Sequence, residues 1–358
     1  MSRSLRRSDG FALVELLIGI ALGVLAVSAA LLFFAANKRH FLVQLEATRL
    51  QENQRFVVQF LTRDIRGAGY RGCAGDKGPF FNTLNAPNTL EHDFRTGIEG
   101  FDNVPETLPG PLAGTFAGAR RVPIAGTDVL VVRGPAGDAS GVRAESTATQ
   151  IFAVIRSRKT NACTGGVNRI NGICPGDYLL ISDCQKARIF QVGSIEGSGA
   201  ITHSGSNSGP GSANGTWSGA AVSPHARFGT DSEIIRYATF IYYLASNPGG
   251  EPALYRKVTG RRAEELVEGV EDMQILYGEN IDADADGTPD RFVAAAGVID
   301  WDNVTAIRVW VLLRGFRDNR AEAEQRYPAL DGTTITAPDK RLRKPLVLTI
   351  GLRNRLPQ

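Results

Sequence analysis

From Leu16 to Ala36 the chain runs for 21 residues without a charge. At the α-helical rise this is roughly 31 Å, about the thickness of one hydrocarbon core. One carboxylate stands at its edge, Glu15, in the stretch DGFALVELLIGI. An ionised side chain at mid-depth of a bilayer costs on the order of 2.5–3.5 kcal/mol, and less near an end. Glu15 sits one turn inside the apolar boundary, so snorkelling to the headgroups is the plain explanation. A cleaved secretory signal is the competing reading of the segment, with Val27-Ser28-Ala29 as its cleavage site. The apolar run is too long for that, and Glu15 would fall inside it, so a retained span fits better. Three arginines precede the span and Lys38 and Arg39 follow it, which specifies orientation only weakly.

The helical pattern does not stop at Ala36. Phe41, Leu45, Phe56, Phe60 and Leu61 recur near helical spacing with charges between them, and no proline occurs before Pro79. One continuous helix is expected from about Phe11 to Arg66, ended by Gly67-Ala68-Gly69. Its halves divide at residue 36: 11–36 in lipid, 37–66 amphipathic and offering an apolar stripe to a globular domain. Within the span, Gly19 and Gly23 form a GxxxG that Ala26 and Ala30 extend, a ridge suited to close helix packing.

Residues 67–358 form the globular part. The stretch 74–126 is rich in Gly, Pro and Asn and reads as loop. Strand-like runs follow: 128–133, 150–156, 177–182, 187–192, 234–246, 253–258, 269–278, 303–315 and 344–355. NPGGEP between the fifth and sixth is a hairpin signal, and the Gly/Ser-rich 197–220 reads as a surface loop. The expected fold class is α+β, a long N-terminal helix against an antiparallel β-sheet with long loops.

Composition removes several function classes. The net charge is +3, and Arg3, Arg6, Arg7 and Asp9 supply two of those charges, so no whole-surface field draws nucleic acid. GAGYRG (67–72) matches GxGxxG but follows a helix and leads into loop, so it is a helix terminator. The histidines are scattered, and no nucleophile elbow, phosphate loop or acid–base pair is present. An enzyme is not expected.

Four cysteines, Cys73, Cys163, Cys174 and Cys184, all follow the span, consistent with two disulfides in an oxidising compartment. Cys163 and Cys174 flank the Gly/Asn-rich TGGVNRINGI, which a disulfide would staple, leaving Cys73 for Cys184. Four cysteines allow three connectivities, and this is the favoured one. In DADADGTPD, Asp282, Asp284, Asp286 and Asp290 fall at positions 1, 3, 5 and 9 of a calcium loop, with the Thr288 carbonyl at 7. Val293 stands where the bidentate glutamate belongs, so an acidic hairpin turn is the alternative to Ca²⁺.

Gly10-Phe11-Ala12-Leu13-Val14-Glu15 after a short basic leader resembles a class III signal, the prepilin signature. DIRGAGYRGCAG (64–75), DYLLISDCQKARIFQV (177–192), GVEDMQILYGENIDADADGTPDRFV (269–293), WDNVTAIRVWVLLR (301–314) and LTIGLRNR (348–355) resemble the PilW family of type IV minor pilins. The resemblance implies a type IV pilin-like fold. It also implies removal of the leader, 1–10, by prepilin peptidase between Gly10 and Phe11, with N-methylation of Phe11. It gives Glu15 a partner, the N-terminal amine of a neighbouring subunit, in a low-dielectric bundle. The implied function is a low-copy subunit of a complex that starts pilus growth and sits near the tip. Its partners would be other minor pilins, the major pilin and a tip adhesin. The implied location is the inner membrane, single-pass with a periplasmic domain, and then the pilus. A type II secretion minor pseudopilin of the J type and a membrane-anchored periplasmic binding protein or enzyme are the alternatives.

Overall fold

A computed structural model describes residues 13–75, 78–147, 149–203, 227–282 and 286–355. Helix α1 runs unbroken over Leu13–Arg66. With no proline in it, every backbone N–H beyond the first turn can find its carbonyl one turn back. The helix ends where expected: Gly69 takes φ +68° and donates its N–H to the Arg133 carbonyl at 2.9 Å. Gly97 packs on this turn so closely that a Cβ there would lie 2.7 Å from the Gly69 Cα. Glycine at both positions therefore seats the helix end on the sheet.

All nine strand-like runs contain strands. They are distributed over two principal sheets instead of one, with short two-stranded ribbons beside them. The central sheet is organised on the 14-residue strand Glu233–Ser246. Its first half pairs antiparallel with Tyr178–Ser182, and its second half with Val129–Pro135 and, across the NPGGEP turn, Pro252–Val258. One pair in this sheet is parallel, Phe80–Asn82 with Ala187–Ile189. The long strand can change partners because it is buried on both faces, as its near-continuous apolar run requires. Ala200–Thr202, expected as loop, pairs with Gln150–Ala153, while 204–226 of that Gly/Ser-rich stretch lies outside the described residues.

The C-terminal sheet orders Arg291–Val293, Val270–Glu279, Val304–Arg314 and Arg343–Gly351, all antiparallel. Pro345 is tolerated because its strand lies at the edge, where the missing N–H leaves no ladder bond unmade. Side chains alternate as a pleat demands. Ile307, Val309, Val311 and Leu313 face the core shared with α1, and Trp310 and Leu312 face a smaller cluster with Tyr327.

Candidate functional site

The functional reading rests on α1, whose two halves meet different surroundings. Every residue from Leu13 to Phe41 is exposed, and none of its most apolar 18-residue window is buried. The helix is long and apolar enough to cross a membrane. Glu15 lies in its first turn, exposed, without an ionic or hydrogen-bonding partner among the described residues. Gly19 and Gly23 have open space around them, so nothing among the described residues occupies the small-residue ridge. Gly10 and Phe11, where cleavage and methylation are expected, lie outside the described residues.

The second half docks across both sheets, and of the stripe expected only Leu61 is buried, with Phe60 partly so. Phe41 is 62% exposed, and Leu45 and Phe56 are each 41% exposed. The buried face is Glu46, Leu50, Val57, Leu61, Asp64 and Ile65, with Phe60 partly buried beside it. The cause is that two carboxylates occupy the packed face and find partners there. Asp64 accepts hydrogen bonds from the Tyr242 hydroxyl at 2.5 Å, the Arg256 guanidinium at 3.0 Å and Arg63 at 2.8 Å. Burial, followed by the field of Asp64, holds the Tyr242 hydroxyl well above its ordinary range, so it stays a donor. Glu46 accepts from the Phe316 N–H at 3.3 Å where Gly315 lets the backbone approach. Paired charges of this kind are tolerated inside a core, and rotating the helix to bury Phe41 and Leu45 would expose them.

Cross-links and side-chain amides fix this seat. Cys73, just past the helix end, is bonded to Cys184, and Cys163 is bonded to Cys174, which fits the pairing read from the sequence. Asn53 donates to the Glu268 carbonyl at 2.8 Å, and Asn354 to the Ala68 carbonyl at 3.0 Å. Beneath them Asp128 joins the two sheets, accepting from the Asn103 N–H at 2.8 Å and the Ile275 N–H at 2.7 Å. Burial pushes its carboxyl up to about 7, against the pull of those two donors.

The acidic stretch spans a hairpin between Val270–Glu279 and the edge strand Arg291–Val293. Asp290 caps the loop, accepting from the Ile281 and Asp282 N–H groups at 2.6 and 3.1 Å. Asp286 accepts from the Thr288 N–H at 2.6 Å, and the Thr288 carbonyl accepts from Asn280 at 3.1 Å. Asp284 lies outside the described residues, and among those described no group of three or more acidic, His or Cys residues is placed to hold a metal. Calcium at this loop therefore rests on the sequence spacing.

Sequence reasoning missed one feature, a broad arginine-rich cleft of about 1160 Å³ between the helix end and the Cys163–Cys174 loop. Its residues come from distant segments, so no local spacing signals it.

Comparison with curated proteins and with solved structures gives no match. Residues 241–354 match the family model PilW, described as Type IV Pilus-assembly protein W. The matched segment begins in the long central strand and includes the whole C-terminal sheet, one of the two sheets on which α1 packs. Three of the five similar blocks, 269–293, 301–314 and 348–355, lie within it or overlap nearly all of it, and 64–75 and 177–192 lie outside. Through this segment the chain is similar to the PilW family of type IV pilus-assembly proteins.

Proposed function

We propose that this protein is a minor pilin that helps initiate pilus assembly, anchored by the first half of α1 and presenting its globular part outside the inner membrane. The observation that supports this most is the exposed, charge-free apolar run Leu16–Ala36 continuous with a docked second half. Such a helix offers lipid or neighbouring helices a surface its own domain does not use. Prepilin peptidase would cleave between Gly10 and Phe11. Other minor pilins, the major pilin and a tip adhesin are the proposed partners, with no enzymatic role.

In this reading Glu15 pairs with the α-amino group of an adjacent subunit and sets register, since one ion pair in a low-dielectric bundle fixes alignment more than it stabilises. Glu15→Ala expressed in a deletion strain is the test. The expected outcome is wild-type protein level in the membrane fraction with a large drop in surface pili. Full restoration of pili by the variant would return Glu15 to a snorkelling role and remove the main support for assembly through this helix.

A further inference from the structure

The cleft beside the end of α1 is walled by the long strand Glu233–Ser246, the Pro252–Val258 hairpin with the turn after it, and the disulfide-closed loop. Six arginines and four acidic residues line it. Arg63 and Arg256 are engaged by Asp64 and Glu264. Among the described residues Arg169, Arg236 and Arg261 have no ion-pair partner. Arg236 donates only to backbone carbonyls, those of Gly172 at 3.1 Å and Ala136 at 2.5 Å. The Nε of Arg169 is buried with no hydrogen-bond partner. Arg261 is exposed on the turn facing them.

These guanidinium groups feel one another. Burial draws Arg236 below its ordinary range, and the fields of Arg261 and Arg169 act in the same direction, opposed by Asp177. That aspartate is itself engaged, accepting the Cys174 N–H at 2.8 Å. A buried donor without an acceptor and like charges held together both cost free energy that an anion would recover.

We propose that the cleft binds a compact oxyanion, a phosphate or carboxylate group, on the guanidinium groups of Arg169, Arg236 and Arg261. Asp138 and Glu264 line the same cleft and would repel a long polyanion lying along it, so a single compact group fits better than a nucleic-acid strand. A lipid headgroup is out of reach, because Arg63 lies roughly 40 Å up the helix from Ala36. The Cys163–Cys174 bond holds the loop that carries Arg169, so the site is built in part by the disulfide. Excluding a lipid headgroup rests on the membrane anchoring proposed above, whereas binding of an oxyanion does not depend on the assembly reading.

The test is calorimetric titration of the full chain in detergent with inorganic phosphate and, separately, citrate, at ionic strength matched with chloride. The two arms distinguish a phosphate from a carboxylate ligand. Saturable binding of either in the roughly millimolar range or tighter is expected. Arg261→Gln should weaken it about tenfold, as loss of one charge-assisted contact does. Arg169→Gln with Arg261→Gln should abolish it with a thermal melt no lower than that of the wild type without anion, and Arg227→Gln, outside the cleft, should bind as wild type. Absence of binding by both anions, equal binding by the double variant, or affinity for oligothymidylate that grows with strand length would overturn the proposal.

Discussion

The two halves of α1 share one backbone geometry and differ in everything around it. From Leu13 to Phe41 each side chain is exposed, and from Leu16 to Ala36 the surface carries no charge. From Glu46 to Ile65 one face is buried against the two sheets, and that face includes two carboxylates. Apolar content alone therefore does not say which part of a helix packs on its own domain. The more apolar half stays exposed, and the mixed half docks, because Asp64 finds Tyr242 and Arg256 on the central sheet and Glu46 finds the Phe316 N–H just past a strand of the C-terminal sheet.

Breaking the seat of the docked half should give the largest effects. The Cys73–Cys184 bond closes a loop with a sequence separation of 111 and ties the helix end to the central sheet, whereas Cys163–Cys174 spans 11. In the chain-entropy model Cys73→Ser with Cys184→Ser costs about 5 kcal/mol, and the shorter pair about 3 kcal/mol. Denaturant titration of the full chain in detergent should rank them in that order.

A core truncation sharpens the comparison within the helix itself. Leu61, fully buried, should lose about 2–5 kcal/mol on substitution by Ala through lost burial and the cavity left behind. Leu22, 61% exposed, should change the unfolding of the globular part by less than about 0.5 kcal/mol when treated alike. Equal losses at both positions would mean that the apolar half packs on the domain after all.

A smaller effect comes from pH. Folded Asp128 keeps its proton up to about pH 7, whereas its ordinary value is 3.8. Between those values the folded chain binds more protons than the unfolded one, so this group's contribution to stability falls as pH rises through that window. Other carboxylates, Glu279 and Asp339 among them, are held below their ordinary values and act oppositely. The quantity to measure is therefore the difference between wild type and Asp128→Asn from pH 4 to 8. The variant should lack the decline that Asp128 imposes, and identical pH profiles would remove this carboxyl from the seat's energetics.

The sequence made the helix, the nine strand runs and the cysteine pairing legible, because apolar periodicity, glycine terminators and a Gly/Asn-rich excursion are local signals. What it hid depends on distance along the chain. Asp64 looked like a solvated charge, and its partners lie 178 and 192 residues away. Phe41, Leu45 and Phe56 looked like core by size. The change of partners along Glu233–Ser246 has no local signature, since a strand buried on both faces shows the same apolar run whatever pairs with it. The cleft arginines come from three separate segments and were invisible for the same reason.

The central claim is that the exposed half of α1 serves other subunits and the docked half serves its own domain. Site-specific photo-crosslinking in piliated cells tests it most directly, with the reactive residue placed at Leu25, 66% exposed, or at Val57, fully buried. The account predicts crosslinks to other pilus subunits from Leu25, and only intramolecular products from Val57. Intermolecular crosslinks from Val57 with none from Leu25 would contradict it.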